Sequence, residues 1–396
     1  MPQHPDSYPD AHPESSALGD RSVAGAVAAA PGPITGSPTP VATPGSSLTS
    51  ALVGRTFTHP AFDYLLIGGL LSLLFFAALV WNPLELGAIR GRDLATFILL
   101  SNSAHFAAST VRLYTKPGAQ RALPGISIVL PIVMLVLLTL CMFRADSLGP
   151  QLRALYLTWS PYHYAAQAYG LAVMYAYRSG CLLGAQSKRL LWWASMLPFL
   201  FTFLLAPRAG LHWLDFAGWL QNPTANAVFQ WVQAVMPWAA FAAVPLLFAY
   251  VWRRESRPMP LISALTLVAN GFWWFVFPPL QAFVWATIFH GVQYLAIVII
   301  FHVKEQMGRP DNDHSAAYHV VWFYAVSLLL GYVLFDPFPR LYVFAGFGPA
   351  ESMMLVVAAI NIHHFIVDAF IWRLGRSDNN RAIVDSASRT PTPTPA

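Results

Sequence analysis

The chain has 396 residues, of which 56% are hydrophobic and 10% charged, with a formal net charge of +5 and a mean hydropathy of +0.50. Soluble domains carry roughly a quarter charged residues, so this composition excludes an ordinary water-facing globule. The positive charge lies between apolar runs and not in a basic patch with interleaved aromatics, so it predicts orientation in a lipid bilayer and no nucleic-acid partner.

Residues 1–55 are rich in Pro, Ala, Gly, Ser and Thr and nearly free of aromatics. Such a segment buries too little apolar surface to offset the entropy of ordering, and a disordered tail is expected there. It lacks the basic start and apolar core of a secretory signal. From residue 56 onward, apolar runs of spanning length recur with basic or Pro/Gly punctuation. They predict an all-α integral membrane domain over 56–373 with about ten transmembrane helices. The helices are expected near 62–82, 94–113, 125–143, 152–177, 189–206, 227–252, 259–279, 283–303, 317–335 and 350–372. Only Pro278 and Pro279 separate the seventh from the eighth. Residues 374–396 read as a second disordered tail.

Trp81, Trp192, Trp193, Trp252, Trp322 and Trp372 fall near predicted helix ends, where an interfacial aromatic belt would place them. With both termini in the cytosol, seventeen of the 23 Lys and Arg fall on that side and six on the other. That bias supports an even number of spans in the cell membrane. Cys141 and Cys181 then lie at opposite ends of their helices, so no disulfide between them is expected.

Ionisable groups inside a bilayer are costly and by default functional. Of the twelve histidines, His105, His163, His290, His302, His363 and His364 fall within predicted spans. All six lie on even-numbered helices, which run in one direction. His105, His163, His290, His363 and His364 form a layer near mid-membrane, and His302 lies at the cytosolic end. His319 begins the ninth helix. Polar side chains extend the histidines into stripes at helical spacing: Asn102, His105, Ser109 and Arg112 on the second helix; His163, Gln167, Gly170, Met174 and Arg178 on the fourth; Asn361, His364 and Asp368 on the tenth. The eighth offers His290 with Gln293 and Tyr294. Three segments share one pattern, HFAAS, HYAAQ and HFIVD.

Neutral imidazole with a carboxylate suits iron or zinc, and the neighbouring amides and hydroxyls suit a supporting shell. The expected metal ligands are His105, His163, His290, His363 and His364. Asp368 is expected as ligand or base, with Gln167, Gln293, Tyr294 and Asn361 orienting ligands or substrate. Arg112, Arg178 and Arg373 end three stripes on the cytosolic side and are candidates for an anionic headgroup, although snorkelling anchors would look the same. For any one histidine, an interhelical hydrogen bond is the bland alternative.

This layout resembles the general class of multi-histidine integral membrane metal oxygenases, which includes desaturases, hydroxylases and carotenoid-cleaving enzymes. The resemblance implies a non-haem metal acting on a lipid or other hydrophobic substrate. The chain departs from the H-x-x-x-H and H-x-x-H-H boxes of desaturases, keeping only the adjacent pair His363–His364. A proton-coupled transporter using the same His/Asp/Gln layer, and a bis-histidine haem protein, are the alternatives.

Overall fold

The computed structural model describes residues 48–81, 91–116 and 119–372. The expected tails over 1–47 and 374–396, and Arg373, lie outside the described residues. Every element among the described residues is helical apart from turns, and there is no strand.

Among the described residues the first element is α1 (Leu48–Val53), inside the stretch expected to be a tail. The following loop is anchored by packing: Phe57 is buried among Ile67, Tyr175, Ile262 and Phe301. Buried Asp63 accepts hydrogen bonds from the Phe57 amide at 2.6 Å, the Thr58 amide at 3.2 Å and the Tyr175 hydroxyl at 2.8 Å. Local composition reads as loop, but this tertiary packing orders it.

The first predicted span is broken. α2 (Pro60–Ile67) and α3 (Leu70–Trp81) meet at 55° across Gly68 and Gly69. Gly69 has φ +84°, and a Cβ there would collide with the side chain of Ala269. The break frees the Ile67 carbonyl, which accepts from Gln293 Nε2 at 2.5 Å. Irregular backbone at membrane depth survives only where protein satisfies it, and Gln293 does so here.

The remaining helices are α4 (Asp93–Thr115), α5 (Ala119–Ala122), α6 (Gly125–Phe143), α7 (Gly149–Arg178), α8 (Ala185–Leu205), α9 (Gly210–Leu214), α10 (Pro223–Arg254) and α11 (Leu261–Val276). After them come α12 (Pro279–Met307), α13 (Ala316–Phe335), α14 (Pro337–Phe344) and α15 (Pro349–Ile371). Among the described residues seven helices are long and apolar enough to cross a membrane, counting α13 with α14 as one, and the α2–α3 pair would make an eighth. The other two predicted spans are also helical. α7 has ample length at 30 residues but carries many polar side chains, and α11 has only 16 residues. Helices seven and eight are separate, with Phe277 and Pro278 between them.

Burial sorts the helices into inner and outer sets. In α12, 72% of the most apolar stretch is buried, against 22% in α6, α10 and α13–α14. Large apolar side chains such as Val136, Leu246 and Leu329 are exposed on the outer helices, as a hydrocarbon solvent permits. α4, α12 and α15 are mostly buried, and α7 packs against α8, α11 and α15. These four inner helices carry the histidine layer. Both cysteines are free and buried. Burial, with Glu255 nearby, pushes the Cys181 thiol up to about 12.

Candidate metal centre

His105 on α4, His163 on α7, His290 on α12 and His364 on α15 come together in the interior, all less than a tenth exposed. Ring centroids stand 4.3 Å apart for His105 and His364, 4.8 Å for His105 and His290, 5.0 Å for His163 and His364, and 5.1 Å for His163 and His290. Local backbone makes the close approach possible. A π turn, Leu99–Ser103, precedes His105, a feature often found at functional sites. Two glycines let neighbouring helices close on that turn. A Cβ on Gly291 would lie 3.0 Å from the Ser101 carbonyl, and one on Gly331 2.6 Å from the Ser103 carbonyl oxygen. Gly291 thus draws its neighbour His290 against α4, as small residues do between membrane helices.

Four hydrogen bonds aim the donor atoms. Ser109 donates to the Phe106 carbonyl at 3.0 Å, which spends its only proton. Its oxygen, 2.8 Å from His364 Nδ1, must therefore accept from that nitrogen. The tautomer this requires leaves a lone pair on His364 Nε2, which lies 3.2 Å from His163 Nε2. On the carboxylate side, Tyr294 donates to Asp368 Oδ1 at 2.6 Å, and Trp372 Nε1 donates to the Tyr294 oxygen at 3.3 Å. Asp368 Oδ2 is left facing His364 Nε2 at 3.6 Å and His163 Nε2 at 3.8 Å.

These distances fit a shared cation. Donor atoms held at about 2.0–2.2 Å in a tetrahedron stand roughly 3.3–3.6 Å apart. His163, His364 and Asp368 offer one set of ligand atoms within 4.8 Å of one another, and His105, His163 and His290 offer a second. Orphaned polar atoms point the same way. Neither nitrogen of buried His105 has a hydrogen-bond partner, nor does His290 Nε2. Leaving such a group unsatisfied costs about 1–3 kcal/mol, and a metal ion would satisfy it. A buried carboxylate among neutral imidazoles likewise calls for a positive charge. The residues present could hold a metal ion.

The remaining predicted residues divide. Tyr294 touches the centre through Asp368, and its ring lies 4.5 Å from that of His105. Gln167 Nε2 donates to Gln293 Oε1 at 3.3 Å, so both amides face the break between α2 and α3. Asn361 back-bonds to the Val357 carbonyl at 2.7 Å. His363 is half-buried with Nε2 unpartnered, on another side of α15 from the clustered ligand atoms. Arg112 is buried, with its guanidinium 5.0 Å from the Trp372 ring and 3.7 Å from Glu305. Arg178 lies over the Phe57 ring at 4.4 Å and donates to the Thr56 carbonyl.

Ser109, four residues from His105 in the α4 stripe, is among the hydroxyls expected to support the imidazoles, and it does so at His364. The sequence assigns no role at the centre to Tyr164, Thr287 or Trp372. The Tyr164 ring lies tilted against His290 at 4.2 Å and its hydroxyl shares a 2.7 Å hydrogen bond with Thr287. Trp372 fits an interfacial belt by position, yet it is partly buried beside Tyr294. Neither its sequence position nor that of Tyr164 signals these contacts.

Comparison with protein-family models, with curated proteins and with solved structures gives no match to this chain. Functional inference therefore rests on the site.

Proposed function

We propose that this chain is a ten-span protein of the cell membrane, with both termini cytosolic, that uses a non-haem transition metal to act on a lipid or other hydrophobic substrate. The reaction class we favour is oxidoreductase and the metal iron, with zinc second. The observation that carries this reading is the grouping of His163, His364 and Asp368, with His105 and His290 beside them. Two histidines and one carboxylate with open positions are the donor set of non-haem iron oxygenases. When bound, iron would supply redox chemistry, whereas zinc would supply Lewis acidity.

The chain's own residues have distinct tasks in this reading. Ser109 fixes the tautomer of His364, and Tyr294 holds one oxygen of Asp368 so that the other faces the site. Asp368 Oδ2 either completes the ligand set or holds a proton for the substrate. The apolar walls around the imidazoles exclude water, which strengthens every charge interaction inside. A substrate arriving laterally meets hydrocarbon before it meets the polar layer, which favours a lipid-like molecule.

One observation favours a second reading. A discontinuous helix near a midplane polar layer is a feature of transporters, and α2–α3 is broken beside Gln293 and Gln167. The same residues would then relay protons. For haem the space is poor: His105 has the rings of His163, His290 and His364 within 6.5 Å of its own, which crowds the slot a macrocycle would need.

The deciding experiment is metal analysis of detergent-purified protein with an absorption spectrum of the same sample. Near-stoichiometric iron or zinc without a Soret band supports the proposal. A protein still metal-free after reconstitution with iron and zinc overturns it in favour of the transporter.

A further inference from the structure

On the side of α12 away from His290 and Tyr294, a groove of about 640 Å³ lies between α2, α4, α12 and α13. That volume falls within the roughly 300–1,000 Å³ of small-molecule sites. Its walls are apolar, formed by Phe62, Leu66, Leu100, Leu295, Ile299 and Val320. Apart from Tyr324, its polar side chains gather at one end, where Thr58, His59 and Lys304 line the rim. We infer that this groove binds one anionic phospholipid, with an acyl chain along α12 and the headgroup at Lys304.

Length, charge and donors support that occupant. Along α12 the lining runs from Val292 to Lys304, about 18 Å at 1.5 Å per residue. One leaflet of hydrocarbon is about 15 Å deep, half of a ~30 Å core. With α12 spanning the bilayer as proposed above, the groove reaches from the cytosolic interface to mid-membrane, as one acyl chain does. Lys304 Nζ donates to the Phe57 carbonyl at 3.0 Å and makes no ion pair with a carboxylate among the described residues, so its other protons remain for a phosphate. His59 Nδ1 accepts from the Ala61 amide at 3.2 Å, which leaves its Nε2 proton at the rim. The Arg178 guanidinium, over the same Phe57 ring, adds positive charge nearby. At the deep end no polar group asks for a partner, because Tyr324 donates its hydroxyl to the Leu100 carbonyl at 2.9 Å.

The test uses the full-length protein in nanodiscs carrying a trace of phosphatidylglycerol with a photoactivatable acyl chain. Crosslinks are mapped by mass spectrometry, and unlabelled phosphatidylglycerol competes against phosphatidylcholine. Labelling is expected to concentrate on the peptides holding Ile299 and Val320, with phosphatidylglycerol the better competitor by about fivefold. Lys304→Gln should erase that preference, and Ile299→Trp should abolish groove labelling by filling it. Bound metal, measured in the same samples, should be unchanged, because neither residue touches the histidine cluster. Labelling spread evenly over the outer helices, with equal competition by both lipids, would show annular lipid only and overturn the inference. If either variant fails to fold, the wild-type competition alone decides.

Discussion

His302 and His319 lie as near each other as some members of the inner cluster, with ring centroids 6.1 Å apart against 6.5 Å for His105 and His163. Their surroundings differ. His302 stacks on Trp322 at 5.9 Å and packs on Phe323 at 4.5 Å, while His319 Nε2 is 2.7 Å from Asn312 Oδ1. The His314 ring stands 6.1 Å from that of His319, but among the described residues no three groups here bring ligand atoms within 4.8 Å of one another. In the inner group, Ser109 and Tyr294 turn lone pairs and a carboxylate oxygen toward common points. Two histidine pairs of similar spacing thus sit in different settings, and the contrast lies in the further ligand atoms that converge on the inner pair.

The contrast is tested most severely by alanine. His163→Ala and His364→Ala should each lose essentially all bound metal while eluting as folded protein on size exclusion. His302→Ala and His319→Ala should keep wild-type occupancy. Equal losses from all four variants would erase the distinction. A smaller effect is expected one bond further out. Ser109→Ala and Tyr294→Phe should weaken metal affinity by about 10–100-fold, read by chelator competition, because they remove the partners that orient His364 and Asp368. Unchanged affinity in both would mean that the ligands orient themselves.

Backbone packing sharpens the comparison next. Gly331→Ala should cost about 1–3 kcal/mol of stability, since the added methyl meets the Ser103 carbonyl and the π turn before His105 has nowhere to move. Thermal unfolding in detergent measures it, and an unshifted midpoint would show that α4 can give way. Gln293→Leu belongs to the same range. It should destabilise by about 1–3 kcal/mol through the orphaned Ile67 carbonyl while sparing metal occupancy. Loss of metal in that variant would tie the broken helix to the centre.

The helices were legible because long apolar runs with basic punctuation have few other uses. The layer of His105, His163, His290 and His364 was legible because depth along a span follows from residue count. Which neighbour faces the interior was not. His363 and His364 differ by about 100° around α15, and only packing against α7 and α4 chooses between them. The buried setting of Arg112 was hidden for the same reason, since snorkelling and cation–aromatic stacking leave one signature at a helix end. The bonds from Gln293 to Ile67 and from His364 to Ser109 join residues 226 and 255 positions apart, beyond any local pattern. The first span reads as one continuous helix in the sequence, and its 55° bend at Gly68 and Gly69 comes from packing that no local pattern shows.

That bend carries a consequence for the birth of the protein. Ile67 leaves the ribosome 226 residues before Gln293, which at about 5–20 residues per second is an interval of about 10–45 s. Throughout that time the bent pair of α2 and α3 holds a carbonyl that lipid cannot satisfy. Whatever shelters it meanwhile, be it the insertion machinery, water or a neighbouring helix, must later give up its place to an amide made some 226 residues further on. The bent pair, though made before the other membrane helices, therefore reaches its final seat only after α12 is in place.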